Sequence, residues 1–335
     1  MWYDIFISVG REQRKDKGED ACAFCGTENA AMIGVFDGLG GSGARRYPAY
    51  RENTGAYMAS RAVAGFVKEW FSKDYATAEP AEPELRACIE AALDACSRHS
   101  GTPGGRLKGI KGSIFHEFPT TAAIAVCRPQ MQDGKVRDYI VDYIWAGDSR
   151  GYLLCENGLV QITTDDADEE DIRSSMNSDA PMNNVISHSE PWELHRERLL
   201  VRTPGIVITA TDGSFGYWSS PMELEHILLK TMRDSENAMD WQDKLDEEIN
   251  SVAGDDFTLL GLAFGFDTFE NMKAKFNNRL QILEKDYIKQ MKKLNHESAP
   301  DYEKLLDLWE TYSKTYLWEV EKVQHSSQAG IKVYP

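Results

Sequence analysis

Aspartates at the ends of apolar runs are the residues of this sequence whose type and spacing could support catalysis. The run "GVFDG" ends in Asp37 and Gly38, "VITATDG" contains Asp212, and "GDDFTLLGL" begins beside Asp255. A single Asp-Gly pair is a common turn dipeptide and indicates little by itself. Several carboxylates at strand ends can meet at one sheet edge, where their repulsion favours a hard divalent cation bound through oxygen. The pattern therefore predicts a metal site with carboxylate ligands.

The chemistry that such a site offers is hydrolysis by an activated water. Two divalent cations ~3.5–4 Å apart can hold a water, lower its pKa and neutralise the charge of a phosphoryl group. A further carboxylate, Asp148, lies in the turn "AGDSRG". No C-x5-R loop supplies a covalent nucleophile, and the pair Cys22 and Cys25 lacks the second pair that a structural zinc needs. The residues favour metal-activated water over a covalent phospho-enzyme.

The elements that must position these carboxylates are short β-rich runs from Asp4 to about Phe266. Strands dominate the middle of the chain and do not alternate one for one with helices, which favours an α+β fold of stacked, largely antiparallel sheets with helices outside. Two of the strands flank the turn "CENG" as a hairpin. The strand candidates are "DIFISV", "AAMIGVFD", "TTAAIAVC", "DYIVDYIWAGD", "GYLLCENGLVQIT", "GIVITATDG" and "DDFTLLGLAF". The helix candidates are "GAYMASRAVAGFVKEWF", "PELRACIEAALDACSRH" and "SPMELEHILLKTM".

Two segments depart from this pattern. The acidic segment from about Thr163 to Glu193 is rich in Ser, Asn and Pro and is interpreted as a surface flap that would influence substrate choice. After Phe266, two amphipathic stripes separated by "NHESAPD" predict a helical hairpin over 267–335. The hairpin either packs on the main domain or on itself, or serves through 267–325 as an arm for dimerisation or partner docking.

Composition excludes several classes of protein. The net charge of -17 would repel a polyphosphate backbone, so nucleic acid is not an expected partner. No window approaches the ~18 uninterrupted apolar residues that a membrane helix needs. The stretch "MWYDIFISVGREQRK" lacks the features of a signal peptide, so we expect a soluble, cytoplasmic protein.

Six motifs in order resemble the metal-dependent protein phosphatases of type 2C, the PPM family. They are "GED", "VFDGLGG", "PTTAAIAV", "AGDSRGYLL", "TATDGSFG" and "DDFTLLGLAF", and they span roughly three quarters of the chain. The resemblance implies a four-layer αββα sandwich over 1–266, in which two antiparallel sheets are flanked by helices. It also implies hydrolysis of phosphoserine and phosphothreonine by two Mg²⁺ or Mn²⁺ ions, with a third in some members. A phosphorylated protein and a cognate Ser/Thr kinase are the partners that it implies.

The same resemblance implies the roles of individual residues. Asp37 would bridge both metals with the Gly38 carbonyl on one of them, and Asp212 and Asp255 would complete the ligands of the other. Asp148 would help to hold the third, weaker metal. Asp256 stands where relatives usually have Asn, so an assignment one residue out stays open.

The resemblance also implies positions that would hold coordinated waters, bind the phosphate or donate a proton. Glu19 and Asp20 match an acidic pair that would act on the metals through coordinated waters. The phosphate-binding arginine of relatives aligns with Lys15, with Arg14 one residue earlier, and either one is a candidate. Leu39 stands where eukaryotic relatives place a histidine proposed as general acid, which indicates a bacterial-type enzyme.

Two other functions are compatible with the same motifs. A pseudo-phosphatase would keep the fold as a binding or regulatory module without turnover, although retention of Asp37, Asp212 and Asp255 argues against it. A metal-dependent phosphatase of a small molecule is the second alternative.

Overall fold

Two large β-sheets form the centre of the computed structural model, which describes residues 2–74, 82–100, 116–166, 182–202, 204–296, 302–317 and 332–334. Sheet A has the spatial order β1 (Ile5–Arg11), β12 (Phe257–Phe264), β11 (Gly205–Ala210), β8 (Arg150–Cys155) and β9 (Gly158–Gln161). Sheet B has the order β13 (Lys332–Tyr334), β10 (His195–Val201), β7 (Lys135–Ala146), β6 (Ala122–Gln132), β3 (Ala31–Phe36) and β2 (Ala21–Gly26). A small hairpin pairs β4 (Arg46–Tyr47) with β5 (Asn53–Thr54).

The strand pairings are antiparallel, as the sequence predicts, with one exception. The C-terminal strand β13 pairs in parallel with β10 at the edge of sheet B. The predicted hairpin through "CENG" is confirmed, because β8 and β9 pair from Tyr152↔Gln161 to Cys155↔Gly158. These pairings bring the ends of β3, β7 and β11 to the same region of the molecule.

Helices cover the outer faces of both sheets. Sheet B packs against α1 (Gly55–Asp74) and α2 (Glu82–His99). Sheet A packs against α4 (Pro221–Arg233), α5 (Ala238–Asn250), α6 (Phe269–Leu283) and α8 (Tyr302–Tyr316). The short α3 (Asp212–Phe215) follows β11, and a 3-10 turn occupies Pro48–Tyr50. A π-helical turn (Glu284–Ile288) joins α6 to α7 (Lys289–His296).

Apolar residues fill the space between each pair of layers. The faces that the sheets turn toward each other bury residues such as Val35, Tyr143 and Leu260. Strand β3 is buried over its whole length, because one face lies between the sheets and the other lies under α1. This double burial explains why its sequence is a continuous apolar run rather than an alternating one. The order helix, sheet, sheet, helix is the predicted four-layer α+β sandwich.

Strand β10 was not among the strand candidates of the sequence. Its sequence "HRERLLV" begins with three consecutive charged residues after the histidine, so it lacks the apolar alternation that indicates a half-buried strand. In the structure Arg196 and Arg198 turn toward the fully buried carboxylate of Asp142 on β7, at 2.8 and 2.7 Å. The charges of the two arginines are therefore balanced by a carboxylate on the neighbouring strand rather than by solvent. A single sequence does not show which residues face each other across strands.

After Phe266, helices α6, α7 and α8 pack on sheet A, whereas Lys332–Tyr334, within the segment predicted to be helical, form strand β13 of sheet B. Met272, Phe276, Tyr312 and Tyr316 belong to the same buried cluster as Trp241 of α5. Helix α8 ends at Tyr316, and the rest of its predicted stripe, to Val323, lies outside the described residues. No helix in the described ranges is long and apolar enough to cross a membrane.

Candidate metal centre

Four aspartates from separate parts of the chain meet where strands of the two sheets end. Asp20 precedes β2, Asp37 follows β3, Asp148 lies two residues beyond β7, and Asp212 begins α3 directly after β11. Their charges act on one another, and a hydrogen bond joins the side chains of Asp37 and Asp212. All four are half-buried, so the protein encloses them but leaves them open to a ligand.

The protonation of these carboxyls reflects burial first and mutual repulsion second. Burial raises the pKa of Asp37 well above its usual value, and the charges of Asp20, Asp212 and Asp148 raise it further. Burial also raises the pKa of Asp20 to about 7, against the hydrogen bond that Thr211 Oγ1 donates to it at 2.8 Å. Burial and the charge of Asp212 raise the pKa of Asp148 to about 7 as well. Clustered carboxyls of this kind retain protons unless a cation balances their charge.

The donor chemistry fits hard divalent cations. The ligand atoms are carboxylate oxygens, which Mg²⁺ and Mn²⁺ prefer. Asp148 Oδ1 is buried and has no hydrogen-bond partner among the described residues, as a ligand oxygen would in the absence of its ion. Among the described residues, no group of three or more His, Cys, Asp or Glu side chains is already arranged to hold a metal ion. A proton held between Asp37 and Asp212 aims their oxygens at each other, so metal binding has to displace it.

Two glycines allow the backbone to approach closely at this site. A Cβ on Gly38 would lie 2.6 Å from the carbonyl oxygen of Ala56 and 2.8 Å from that of Glu19. A Cβ on Gly213 would lie 2.0 Å from the carbonyl oxygen of Asp256. Each glycine directly follows a site aspartate, so the Asp-Gly pairs seen in the sequence are required by packing here.

Hydroxyl groups at the start of β6 fix the Asp37 turn. The Thr121 N–H and Thr120 Oγ1 both donate to the Asp37 carbonyl oxygen at 2.8 Å. The Asp37 N–H donates to Thr121 Oγ1 at 3.3 Å, and Thr121 Oγ1 lies 2.6 Å from Ser149 Oγ. The turns of Asp37 and Asp148 are therefore linked through buried hydroxyls. In the sequence, "PTTAAIAV" served only as a motif and gave no role to its threonines.

The structure distinguishes the environments of Asp255 and Asp256. Asp256 accepts the N–H of Gln13 on Oδ1 and the N–H of Glu19 on Oδ2, each at 2.7 Å. Asp255 is exposed, and its Oδ1 accepts the N–H of Asp256 at 2.8 Å. Both oxygens of Asp256 thus accept backbone N–H groups, whereas the side chain of Asp255 is exposed. The charge of Asp256 acts on Asp20 of the cluster, and the choice of Asp255 as the ligand of the two remains a prediction.

The acidic pair Glu19 and Asp20 is divided between two environments. Asp20 is a member of the aspartate cluster itself, whereas Glu19 lies beside it and accepts a hydrogen bond from Thr54 Oγ1. Burial raises the pKa of Glu19, the Thr54 hydrogen bond lowers it, and the positive charge of Arg46 lowers it as well. The charge of Asp20 therefore acts directly on Asp37, and the role of Asp20 and Glu19 through coordinated water remains a prediction.

The two phosphate-binding candidates lie in the loop after β1. Arg14 and Lys15 are exposed, and no hydrogen bond or ion pair joins either one to a site carboxylate within the described ranges. The structure does place a cation near Glu19, namely Arg46 on β4. Arg14 and Lys15 remain predictions as phosphate ligands.

One arginine near the site was not identified from the sequence. Arg150 at the start of β8 forms a forked ion pair with Asp165, with Nη2 to Oδ2 at 2.6 Å and Nε to Oδ1 at 2.9 Å. Its guanidinium also lies 4.1 Å from the ring centre of Phe215, the last residue of α3. Asp165 belongs to the predicted acidic flap, of which residues 167–181 lie outside the described ranges.

Comparison with solved structures identifies the architecture. The serine/threonine phosphatase PstP/Ppp of Mycobacterium tuberculosis matches 78% of this chain and 98% of its own, at 15% identity and a TM-score of 0.52. The PPM Ser-Thr phosphatase MsPP from Mycobacterium smegmatis, solved with cacodylate, matches 79% and 100%, at 11% identity and a TM-score of 0.51. A PstP catalytic domain in complex with two manganese ions matches 79% and 99%, at 14% identity and a TM-score of 0.50.

These similarities concern structure rather than sequence. No profile of a known protein family matches the chain, and no curated protein matches it in sequence. Many of the structural neighbours are bacterial PPM phosphatases, and this chain has their fold.

Proposed function

We propose that this protein hydrolyses phosphoserine and phosphothreonine in proteins with a divalent metal centre. The observation that carries the proposal is the meeting of Asp20, Asp37, Asp148 and Asp212 at the ends of two packed sheets. The fold supports it, because structures that share the fold are Ser/Thr phosphatases and one of them holds two manganese ions.

The proposed ligand roles are those that the resemblance to the PPM family implies for this sequence. Asp37 and the Gly38 carbonyl, with Asp212 and Asp255, would hold two Mg²⁺ or Mn²⁺ ions, and Asp148 would contribute to a third. Such ions supply an activated water and neutralise charge on the phosphoryl group. Glu19 and Asp20 would hold coordinated waters in place.

The other side chains orient the ligands and the substrate. The hydrogen bonds of Thr121 hold the Asp37 turn, and the hydroxyl of Thr211 holds Asp20. Arg14 or Lys15, both exposed in the loop after β1, would bind the phosphate. Leu39 carries no proton to donate, so the leaving oxygen would take its proton from water.

The substrate that fits this assignment is a phosphorylated protein. A Ser/Thr kinase must supply it, because phosphoserine and phosphothreonine arise by phosphoryl transfer to hydroxyl groups. We also propose that the reaction takes place in the cytoplasm. A partner could also dock on the C-terminal helices through 267–325.

Mn²⁺-dependent turnover tests the proposal. We expect the purified protein to hydrolyse p-nitrophenyl phosphate and phosphothreonine peptides with Mn²⁺ and not with EDTA. Asp212→Asn should abolish turnover, whereas Asp243→Asn on the exposed face of α5 should leave it unchanged. Wild-type protein without Mn²⁺-dependent turnover would refute the proposal. A strong preference for free phosphoserine over peptides would instead indicate a small-molecule phosphatase.

A further inference from the structure

Arg150 connects three segments that border the aspartate cluster. It lies two residues beyond Asp148, pairs with Asp165 at the exit of β9, and covers the ring of Phe215 at the end of α3. Helix α3 begins at Asp212. The Arg150 side chain is 23% exposed, so its position is set by protein contacts more than by solvent.

The last turn of α8 packs behind this arginine. Tyr316 is 2% exposed, and its ring centre lies 6.4 Å from that of Tyr152, two residues after Arg150. Burial raises the pKa of Tyr316, and the positive charge of Arg150 opposes the rise. The C-terminal extension thus forms part of the wall around Arg150.

The same turn of α8 is attached to the strand that leads to Asp165. The Tyr316 hydroxyl donates to Gln161 Oε1 at 2.7 Å, and Leu317 forms an isolated parallel bridge with Gln161. Gln161 in turn donates from Nε2 to the Thr163 carbonyl oxygen at 2.8 Å. The side chain and the backbone at the end of α8 therefore act on the segment that carries the partner of Arg150.

An independent anchor holds α8 on the domain. Four residues before Tyr316, the Tyr312 hydroxyl donates to Glu225 Oε2 of α4 at 2.7 Å. Glu225 is fully buried and receives a forked ion pair from Arg279 of α6, at 2.6 and 2.9 Å. Tyr312 and Tyr316 are thus two buried tyrosines on one helix whose rings stack 5.7 Å apart, but their hydroxyls bond different partners, Glu225 and Gln161 respectively.

We propose that Tyr316 is a positioning residue through which the C-terminal helix α8 holds Arg150 and Asp165, and thereby the Asp148 side of the metal centre. The proposal rests on the metal-dependent function proposed above. It gives the extension a role in the site itself, in addition to its packing on sheet A. Tyr316 does not contact the substrate in this proposal, because it acts through Arg150 and Gln161.

Direct Mn²⁺ binding to metal-free protein tests this role without depending on turnover. In calorimetric titrations we expect Tyr316→Phe to weaken the weakest Mn²⁺ site by about three- to tenfold, the effect of losing one hydrogen bond. Tyr312→Phe is the matched control, since it also loses a buried hydroxyl bond but leaves the Arg150 region intact. It should lower the Tm and leave every Mn²⁺ affinity within about twofold of wild type.

A double variant tests whether the effect passes through Arg150. Arg150→Lys keeps the charge and loses the fork. If Tyr316 acts through Arg150, then Tyr316→Phe should weaken Mn²⁺ binding much less in the Arg150→Lys background than in wild type. Additive effects of the two substitutions would contradict the proposed route.

The outcomes separate this proposal from the proposed function. Wild-type protein that binds no Mn²⁺ and hydrolyses no phosphopeptide overturns both. If wild type binds Mn²⁺ and turns over, but Tyr316→Phe binds Mn²⁺ as wild type does, only the positioning role fails. Equal weakening in Tyr312→Phe and Tyr316→Phe also overturns it, because the effect would then reflect general loosening of α8.

Discussion

Thr121 and Ser149 lie with their hydroxyl oxygens 2.6 Å apart, and this buried contact links the turns of two site aspartates. Thr121 Oγ1 accepts the N–H of Asp37, and Ser149 follows Asp148 directly. Both hydroxyls are almost completely buried. The relative position of the Asp37 and Asp148 carboxylates thus depends on a hydrogen bond between two uncharged hydroxyl groups.

Thr121→Val should weaken both the fold and the metal centre. The isosteric valine removes the acceptor of the Asp37 N–H and the partner of Ser149, at a cost of about 1–3 kcal/mol for a buried group left without its bond. Urea unfolding measures the loss of stability, and calorimetry should detect weaker Mn²⁺ binding. Thr209→Val is the matched control, because the buried Thr209 Oγ1 has no hydrogen-bond partner among the described residues. A Thr209→Val protein as strongly impaired as Thr121→Val would contradict this explanation.

Asp37→Asn should stabilise the metal-free protein while it abolishes the response to metal. The raised pKa of Asp37 means that its ionisation costs stability as the pH rises above the unfolded value of about 3.9. The amide removes that cost, and each kcal/mol gained raises the Tm by about 1–2 °C in a chain of this length. Thermal unfolding in EDTA at pH 7.5 measures the gain.

Addition of Mn²⁺ gives the second half of that experiment. Wild-type protein should gain about 2.7 kcal/mol at a Mn²⁺ concentration of 100 Kd, whereas Asp37→Asn should gain little. Asp243→Asn, on the exposed face of α5, should respond to Mn²⁺ as wild type does. An Asp37→Asn protein that is less stable in EDTA yet still stabilised by Mn²⁺ would refute the ligand role of Asp37.

Gly213→Ala should be severely destabilising. The new Cβ would lie 2.0 Å from the Asp256 carbonyl oxygen, which is backbone and cannot rotate away. Overpacking of this kind costs typically about 1–3 kcal/mol or more, and here it would separate α3 from the loop that carries Asp255. Denaturant unfolding gives the cost directly. By contrast Gly65→Ala, at an exposed position of α1 with nothing near its Cβ, should stabilise by about 0.5–1 kcal/mol.

The sequence predicted the parts of this protein that depend on local pattern. Asp37 and Asp212 were identified because an apolar strand and a glycine flank each of them, and the four-layer fold was confirmed. The Arg150 to Asp165 pair was not identified, because its partners lie 15 residues apart on either side of a hairpin. Hydrogen bonds and ion pairs of this kind depend on the register between strands, and a single sequence does not specify it.

Asp142 should make the stability of the protein sensitive to acid. It is fully buried within 3 Å of Arg128, Arg196 and Arg198. Burial raises the pKa of Asp142, but the hydrogen bonds and charges of Arg198 and Arg196 outweigh burial and leave it below its usual value. A carboxyl with a lowered folded pKa stabilises the fold above the unfolded pKa of about 3.9, and that contribution is lost as the pH falls through the folded pKa.

Asp142→Asn should therefore cost about 3–5 kcal/mol at pH 7, since it removes the charge that the guanidiniums share, and less near pH 3. Urea unfolding at both pH values measures the loss of stability. The exposed Asp243→Asn is the control, and its loss should stay below about 0.5 kcal/mol at either pH. An equal loss at pH 7 and pH 3 would show that shape rather than charge makes Asp142 important.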